Sequence, residues 1–243
     1  MPSRELPRSD SGKLDALKKL NDLSGSTPAE ELAFSQENAG KVKVFYPSFL
    51  KEMQERGTAL SAQSNATSAR DIAVAKCRMY NSHYFQVFNF GIDRGEHKAS
   101  ERAFYGLDIS QESVPPLFTI DDVRRQAENI IKGEVERVNA GGTPMSNPSK
   151  DQVEAVYNDL TAKMKDQSDK KLTFSKEQMD VDNIRAQADE LIKDCWDEVE
   201  FHFRKLPPAA MRREARAYGV VYVSRPGEPP ENGMQPAPDA PAK

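Results

Sequence analysis

The feature that most constrains the fold is a run of apolar residues that repeats about every 3.5 positions from roughly residue 149 to residue 205. This spacing places the apolar side chains on one face of an α-helix. If the whole run is helical, it spans roughly 85 Å, which is longer than a compact domain of this mass. Gln167, Lys171 and Gln178 interrupt the pattern, so its middle is typical of a loosely packed coiled-coil arm or of a break between two helices.

A second long helix is predicted from about Asn38 to Arg94, where apolar residues again follow a helical spacing. Pro47 is expected to kink this helix, and Gly57 is a weak point in it. Residues 61–71 are small and polar, so a continuous helix and a hairpin are both possible there. We favour the continuous helix.

The N-terminal residues 1–27 are predicted to form an arm with one short helix, because leucines recur about every three residues after Asp10. Thr27-Pro28-Ala29-Glu30 has the composition of a helix start: a capping hydroxyl, a proline in the first turn and a glutamate three residues after the cap. We therefore expect the main helical body to begin at residue 28.

The predicted fold class is all-α, an elongated bundle of two long antiparallel helices with short accessory helices and one short C-terminal strand. One accessory helix covers about residues 120–140, with Ile120, Val123, Ala127, Ile130, Ile131, Val135 and Val138 along one stripe. The bundle is expected to span residues 28–223, and a Pro-rich extended tail is expected over residues 224–243.

Composition excludes several classes of protein. Only 37% of the 243 residues are hydrophobic and 30% are charged, and 34 basic against 38 acidic residues give a net charge of -4. Without a basic excess, the chain is not expected to bind nucleic acid. It has no apolar run long enough for a membrane span, and its N-terminal residues lack the apolar stretch of a secretory signal. The two cysteines, Cys77 and Cys195, lie far apart in apolar segments, so we expect buried free thiols and not a disulfide. We expect a cytoplasmic protein, or part of a particle assembled in the cytoplasm.

Aromatic residues are concentrated near the ends of the two long helices. In the first helix they fall at helical spacing between residues 80 and 90, and in the second they surround Trp196. Aromatic stripes of this kind are usually part of a core. We predict one buried cluster formed by Tyr84, Phe85, Phe88, Trp196, Val199 and Phe203.

A row of possible metal ligands follows the last long helix, with Asp194, Glu198 and His202 spaced four residues apart. Together with His83 and Cys195 they are the residues that a helical-bundle enzyme or a metal or ligand carrier would use. We favour a solvated acidic stripe as the explanation of this row, because the chain contains no Glu-x-x-His pair of the kind that di-iron bundles use. We therefore expect no metal, no cofactor and no catalytic residue.

Near the C-terminus, Val220, Val221, Tyr222 and Val223 form the only strongly β-prone run. A strand without a partner leaves its backbone groups unsatisfied, and the sequence offers no obvious partner. Together with Arg225 and Pro226, this run is a candidate for an intermolecular contact, with the following tail lying across a neighbouring subunit.

From Arg78 to Gly227 the chain resembles an uncharacterised family of bacterial helical proteins. The resemblance rests on Arg78-Met79-Tyr80, Phe88-Asn89, RAFYGLD at 102–108, Trp196-Asp197-Glu198-Val199-Glu200 and YGVVYVSRPGE at 218–228. It implies a helical fold. No activity and no functional residue come with it.

These observations favour a non-enzymatic structural or interaction protein, a self-assembling homo-oligomeric subunit of a larger particle or filament. Two alternatives stay open: a helical-bundle enzyme or metal or ligand carrier, and a regulatory adaptor whose Pro-rich tail recruits partner proteins.

Overall fold

The computed structural model describes residues 2–224, and their fold is all-α, as predicted. The helices are α1 (Asp10–Ser26), α2 (Gln36–Asp93), α3 (Ile120–Asn139), α4 (Lys150–Phe203) and α5 (Pro208–Ala217), with a 3₁₀ helix at Ala99–Tyr105 and two short strands, β1 (Ser3–Arg4) and β2 (Tyr222–Val223). The long helices α2 and α4 pack closely. No helix within residues 2–224 is both long enough and apolar enough to cross a membrane.

Both long helices are continuous. Residues 61–71 are helical, which confirms the continuous-helix prediction, and α2 runs on through Pro47. The polar interruptions in the pattern of α4 do not break that helix either. The predicted helix start at Thr27–Glu30 is wrong, because the backbone N–H of Thr27 donates to the Leu23 carbonyl and ends α1. Helix α2 begins eight residues later, after Ser35, whose hydroxyl accepts from the N–H of Asn38.

The chain divides into two compact units, of which the first comprises Met1–Thr58 and Ser175–Lys243 and the second comprises Ala59–Phe174. In the described part of the first unit, α1, the loop after it, α5 and β2 pack against residues 36–58 of α2 and residues 175–203 of α4. Its core contains Leu17, Leu20, Phe34, Phe49, Ile192, Trp196, Val199 and Tyr222. Residues of the N-terminal arm thus belong to this core.

The second unit has its own core, formed where residues 59–93 of α2 meet the 3₁₀ helix, α3 and the start of α4. Its members include Cys77, Tyr84, Phe85, Phe88, Tyr105, Val123, Ile130 and Leu160. The single aromatic cluster predicted from the sequence is therefore wrong. Tyr84, Phe85 and Phe88 lie in this core, whereas Trp196, Val199 and Phe203 lie in the first.

The aromatic residues of α2 and of α4 each pack against a tyrosine ring that follows the same helix within a few tens of residues in the sequence. Tyr105 of the 3₁₀ helix contacts Tyr84, Phe85 and Phe88, with ring centroids 5.0–6.1 Å apart. Phe203 instead contacts Tyr218, just beyond α5, at 6.0 Å. The apolar spacing of a helix shows which face is buried, but it does not show which element covers that face.

The C-terminal strand pairs within its own chain. Ser3 lies opposite Val223 and Arg4 opposite Tyr222 in antiparallel register. The expectation that Val220–Val223 has no internal partner is wrong, because its partner is a two-residue strand without β-type patterning. Side chains hold it in place: Arg4 forms ion pairs with Asp197 and Glu200. Arg225 and Pro226 lie outside the described residues.

Candidate functional site

The row of possible metal ligands on α4 does not converge on one point. Glu198 accepts hydrogen bonds from the N–H of Ser35 at 2.7 Å and from its hydroxyl at 3.1 Å, so this carboxylate caps the start of α2. Asp194 and His202 are exposed. His202 rests against the ring of Phe203, 4.8 Å away between centroids. Among the described residues these three do not form a group with metal-ligand spacing.

The other candidate residues are also separated. Cys77 and Cys195 are free thiols buried in different cores. Burial raises the pKa of Cys77 to about 11 and that of Cys195 to about 12, so both thiols stay protonated near neutral pH. His83 is exposed on α2 in the second unit. No nucleophile–base pair arises from this set.

One group of three carboxylates does converge in the described residues. Glu52 of α2 and Glu177 and Asp180 of α4 bring one oxygen each to within 4.8 Å of one another, and all three side chains are partly buried. Acidic groups at this spacing repel each other. The sequence gives no sign of this cluster, since Glu52 is more than a hundred residues away from the other two.

Next to the row on α4 lies an open groove of about 770 Å³ in the first unit. The loop after α1 supplies an apolar wall that includes Leu32, Ala33 and Phe34. The end of α4 supplies the other wall, where Phe201 is 62% exposed and the Arg204 guanidinium lies 3.7 Å above its ring. We call this the α4 groove.

In the second unit, a buried polar cluster joins α2, the 3₁₀ helix and α3. The Tyr105 hydroxyl donates to Oε2 of Glu134 at 2.6 Å and lies 3.0 Å from the Tyr84 hydroxyl. Nε of Arg137 donates to the same Glu134 oxygen at 2.8 Å. These four side chains are at most 3% exposed. We call them the tyrosine–arginine cluster.

The cluster also fixes the loop that follows α3. Arg137 donates to the Thr143 carbonyl at 2.6 Å and to Glu101 at 3.0 Å. The N–H of Met145 donates to Oε1 of Glu134 at 2.7 Å. A buried charge is stable only when its hydrogen bonds are satisfied, and no side-chain atom of this cluster lacks a partner.

The protons in this cluster are held firmly. Burial disfavours the ionised form of Glu134, but hydrogen bonds from Arg137, Met145 and Tyr105 outweigh it and lower its pKa. Burial raises the pKa of both tyrosines, most strongly that of Tyr84. Near neutral pH the carboxylate is therefore charged and both hydroxyls are protonated. Such an arrangement, with each polar group hydrogen-bonded, stabilises a core.

Comparison with protein-family models, curated proteins and solved structures finds no match. What the protein does is therefore inferred from its own surface and cores.

A regular stripe of exposed side chains runs along α2 in the second unit. It consists of Ile72, Lys76, Met79, His83, Gln86 and Phe90, and all six are exposed. The steps between them alternate between four and three residues, which is the spacing that faces a partner in a coiled coil. Ile72, Met79 and Phe90 are 70%, 45% and 56% exposed. We call this row the α2 stripe.

Neither the tyrosine–arginine cluster nor the α2 stripe was predicted from the sequence. Both had a signal. Positions 134 and 137 continue the spacing of the buried residues Val123, Ala127 and Ile130, but their charge directed attention to Val135 and Val138. Val135 is 46% exposed. In α2 the spacing of the stripe is hard to recognise in the sequence, because the opposite, buried face carries more apolar residues.

Proposed function

We propose that this protein is a non-enzymatic structural or interaction protein that self-associates through the α2 stripe. The observation that carries the proposal is the alternating four-and-three spacing of exposed side chains, three of them large and apolar. Scattered exposed apolar residues are common on protein surfaces and need no explanation. A row with coiled-coil spacing differs, because a second helix can cover all of its members at once.

The stripe is complementary to itself. If two copies of α2 pair in antiparallel orientation about a two-fold axis beside Asn81, positions equally far from residue 81 face each other. Ile72 then lies opposite Phe90 of the second copy, and Met79 lies opposite His83. A two-fold interface of this kind uses the same patch on both subunits. The polar residues of the stripe, Lys76, His83 and Gln86, limit the registers in which the two helices can pair and keep the association weak.

The enzyme or carrier alternative has less support. It requires Asp194, Glu198 and His202 to converge, and in the described part of the chain Glu198 is engaged with Ser35 instead. Self-association through α2 makes no demand on these residues. A two-fold pair is also a simple building unit for a larger particle.

Size-exclusion chromatography with light scattering tests the proposal. We expect the full chain to show a concentration-dependent mass above that of the 27.2 kDa monomer. Phe90→Asp should return it to monomer, since it places a charge without a partner opposite Ile72 of the second copy. Leu172→Asp is the control, because Leu172 is 67% exposed on α4 in the same unit but outside the stripe. A monomeric wild-type chain at high concentration contradicts the proposal.

A cross-linking experiment tests the antiparallel register. Lys76 and Gln86 face each other in this arrangement, so a mixture of the Lys76→Cys and Gln86→Cys chains should oxidise mainly to the mixed dimer. The native thiols are buried and will not compete. Equal or greater yields from each variant alone would exclude this register.

A further inference from the structure

In the second unit, the loop between the 3₁₀ helix and α3 runs beside α2. Towards one end of the loop, Nδ2 of Asn89 donates to the Glu112 carbonyl at 2.8 Å. Towards the other end, Nε of Arg78 donates to the Leu117 carbonyl at 2.9 Å. Residues 78 and 89 are eleven positions apart, which is about three turns, so both side chains leave the same side of the helix. The loop therefore follows one side of α2, in the opposite chain direction.

This side of α2 borders the α2 stripe. Each anchoring residue comes directly before a member of the stripe, Arg78 before Met79 and Asn89 before Phe90. Successive residues of an α-helix point about 100° apart, so the loop lies at the edge of the stripe and does not cover it. Met79 and Phe90 accordingly remain exposed.

The loop ends in an exposed ring on a fixed backbone. The Phe118 side chain is 86% exposed, more than any other large apolar side chain within residues 2–224. Its carbonyl accepts a hydrogen bond from Nη2 of Arg78 at 3.3 Å. The next residue, Thr119, caps α3 by accepting from the N–H of Asp122, and Pro115 of the same loop is buried. Because the backbone is already ordered, little conformational entropy is lost when a partner covers this ring.

We propose that Phe118 is a further contact of the self-associated pair, packing at the edge of the α2 stripe against α2 of the second copy. This inference rests on the proposed pairing through the stripe. A two-fold axis that exchanges two antiparallel helices facing each other keeps equivalent flanks on the same side of the pair. The two loops therefore lie on one side of the paired helices, and both Phe118 rings extend the apolar contact there.

The position of Phe118 along α2 places it near the two-fold axis. Its carbonyl is held by Arg78, which is three residues from the axis beside Asn81. The two copies of Phe118 therefore differ in height along the helices by six residues, or about 9 Å. A phenyl ring on each copy can bridge much of this separation.

Ile109, at the start of the same loop, lies far from the axis. Arg102 donates to the Ile109 carbonyl at 2.7 Å and to Oδ1 of Asn89 at 3.2 Å, so Ile109 lies close to the Asn89 end. Asn89 is eight residues from the axis, and the two copies of Ile109 therefore differ in height by about 24 Å. Of the two exposed apolar residues, only Phe118 is placed to contact the second copy.

Light scattering over a concentration series tests the contact. Phe118→Ser should raise the dissociation constant of the pair about tenfold, as is typical of a large apolar side chain at an interface. Ile109→Ser is the matched control, because Ile109 is 54% exposed in the same loop, and it should leave the dissociation constant unchanged. Circular dichroism checks that both variants keep their helix content.

A cross-linking experiment tests the placement near the axis. At a concentration where the Phe118→Ser chain still pairs, a short bis-maleimide should link two Phe118→Cys chains. It should not link two Ile109→Cys chains, whose thiols are too far apart. The native thiols are buried and will not react.

The outcomes separate this inference from the proposed function. If Phe118→Ser has no effect although Phe90→Asp abolishes the pair, the inference is wrong and the proposed function stands. Equal linking of the Phe118→Cys and Ile109→Cys chains also overturns the inference, since the two ends of the loop then do not differ in their distance from the axis. A wild-type chain that stays monomeric at high concentration overturns both.

Discussion

Arg137 and Glu134 lie one turn apart on α3 and form an ion pair with both side chains buried, with Nε of Arg137 2.8 Å from Oε2 of Glu134. The pair connects three elements, because Tyr105 and the backbone of the loop after α3 bond to it as well. It therefore fixes the geometry of the second core.

Removing one member of the pair should be far more harmful than replacing both. Glu134→Ala leaves the Arg137 charge buried without its main partner, and we expect a loss of about 3–5 kcal/mol in the free energy of unfolding. The double variant Glu134→Leu/Arg137→Met should lose less. Urea unfolding followed by circular dichroism measures both. A double variant as unstable as Glu134→Ala would show that the hydrogen bonds to the loop, rather than the charge balance, dominate.

Gly133→Ala should destabilise the second unit, because the added Cβ would lie 2.3 Å from the Phe104 carbonyl oxygen. The 3₁₀ helix has to move away from α3 to accept it, at a cost of about 1–3 kcal/mol or more. Gly40→Ala in α2 is the control, since nothing lies within 4 Å of its added Cβ. That substitution should stabilise the helix by about 0.5–1 kcal/mol. Thermal melts of both variants measure the contrast, and equal melting temperatures would contradict it.

Trp196→Ala should cost about 3–5 kcal/mol in the first unit, because the indole is fully buried in its core. Trp196→Phe should cost less, since the indole Nε1 has no hydrogen-bond partner to lose. Denaturant unfolding measures both losses. Similar losses for the two variants would indicate that Nε1 binds a partner in solution.

Stability should fall in acid partly through Asp10. A hydrogen bond from Arg185, assisted by Arg56, holds the pKa of the Asp10 carboxyl below its usual 3.8, although burial acts the other way. Because the folded-state pKa is the lower one, this stabilisation is complete above about pH 4 and is lost as the pH falls through the folded-state pKa. Asp10→Asn should therefore cost about 1–2 kcal/mol near neutral pH and progressively less in acid.

Melting temperatures of the wild type and of Asp10→Asn, recorded between about pH 2 and about pH 7, measure this effect. The wild-type and Asp10→Asn curves should converge at the acid end. Asp15→Asn is the matched control on the same helix, because Asp15 is exposed. A constant difference between wild type and Asp10→Asn at all pH values would contradict the assignment.

Neutralising one member of the acidic group formed by Glu52, Glu177 and Asp180 should stabilise the first unit. Glu177→Gln removes a repulsion between oxygens that lie within 4.8 Å, and we expect a gain of about 0.5 kcal/mol. The gain should shrink in high salt. Glu190→Gln, at an exposed position further along α4, should leave the melting temperature unchanged. A Glu177→Gln chain that melts at a lower temperature than the wild type would contradict this expectation.

The sequence alone was sufficient to predict the two long helices, because helical periodicity is a local property of the chain. The continuity of α2 through residues 61–71 was favoured but left open by the sequence, because small polar residues neither end a helix nor demand burial, and the structure shows one helix there. The structure shows that Thr119 caps α3, since its hydroxyl accepts from the N–H of Asp122.

Only the tertiary structure decided which elements meet. Phe88 and Trp196 both carry the sequence signature of a core, yet they belong to different cores, because aromatic rings pack against any apolar surface within reach. Val223 pairs with Ser3, a residue that the sequence pattern does not place in a strand. Glu134 and Arg137 occupy the buried side of α3, where the sequence placed Val135 and Val138, because a charged pair that satisfies its own hydrogen bonds can replace apolar residues in a core. Local spacing determines the helices and their faces, whereas the choice of neighbour depends on contacts between residues far apart in the chain.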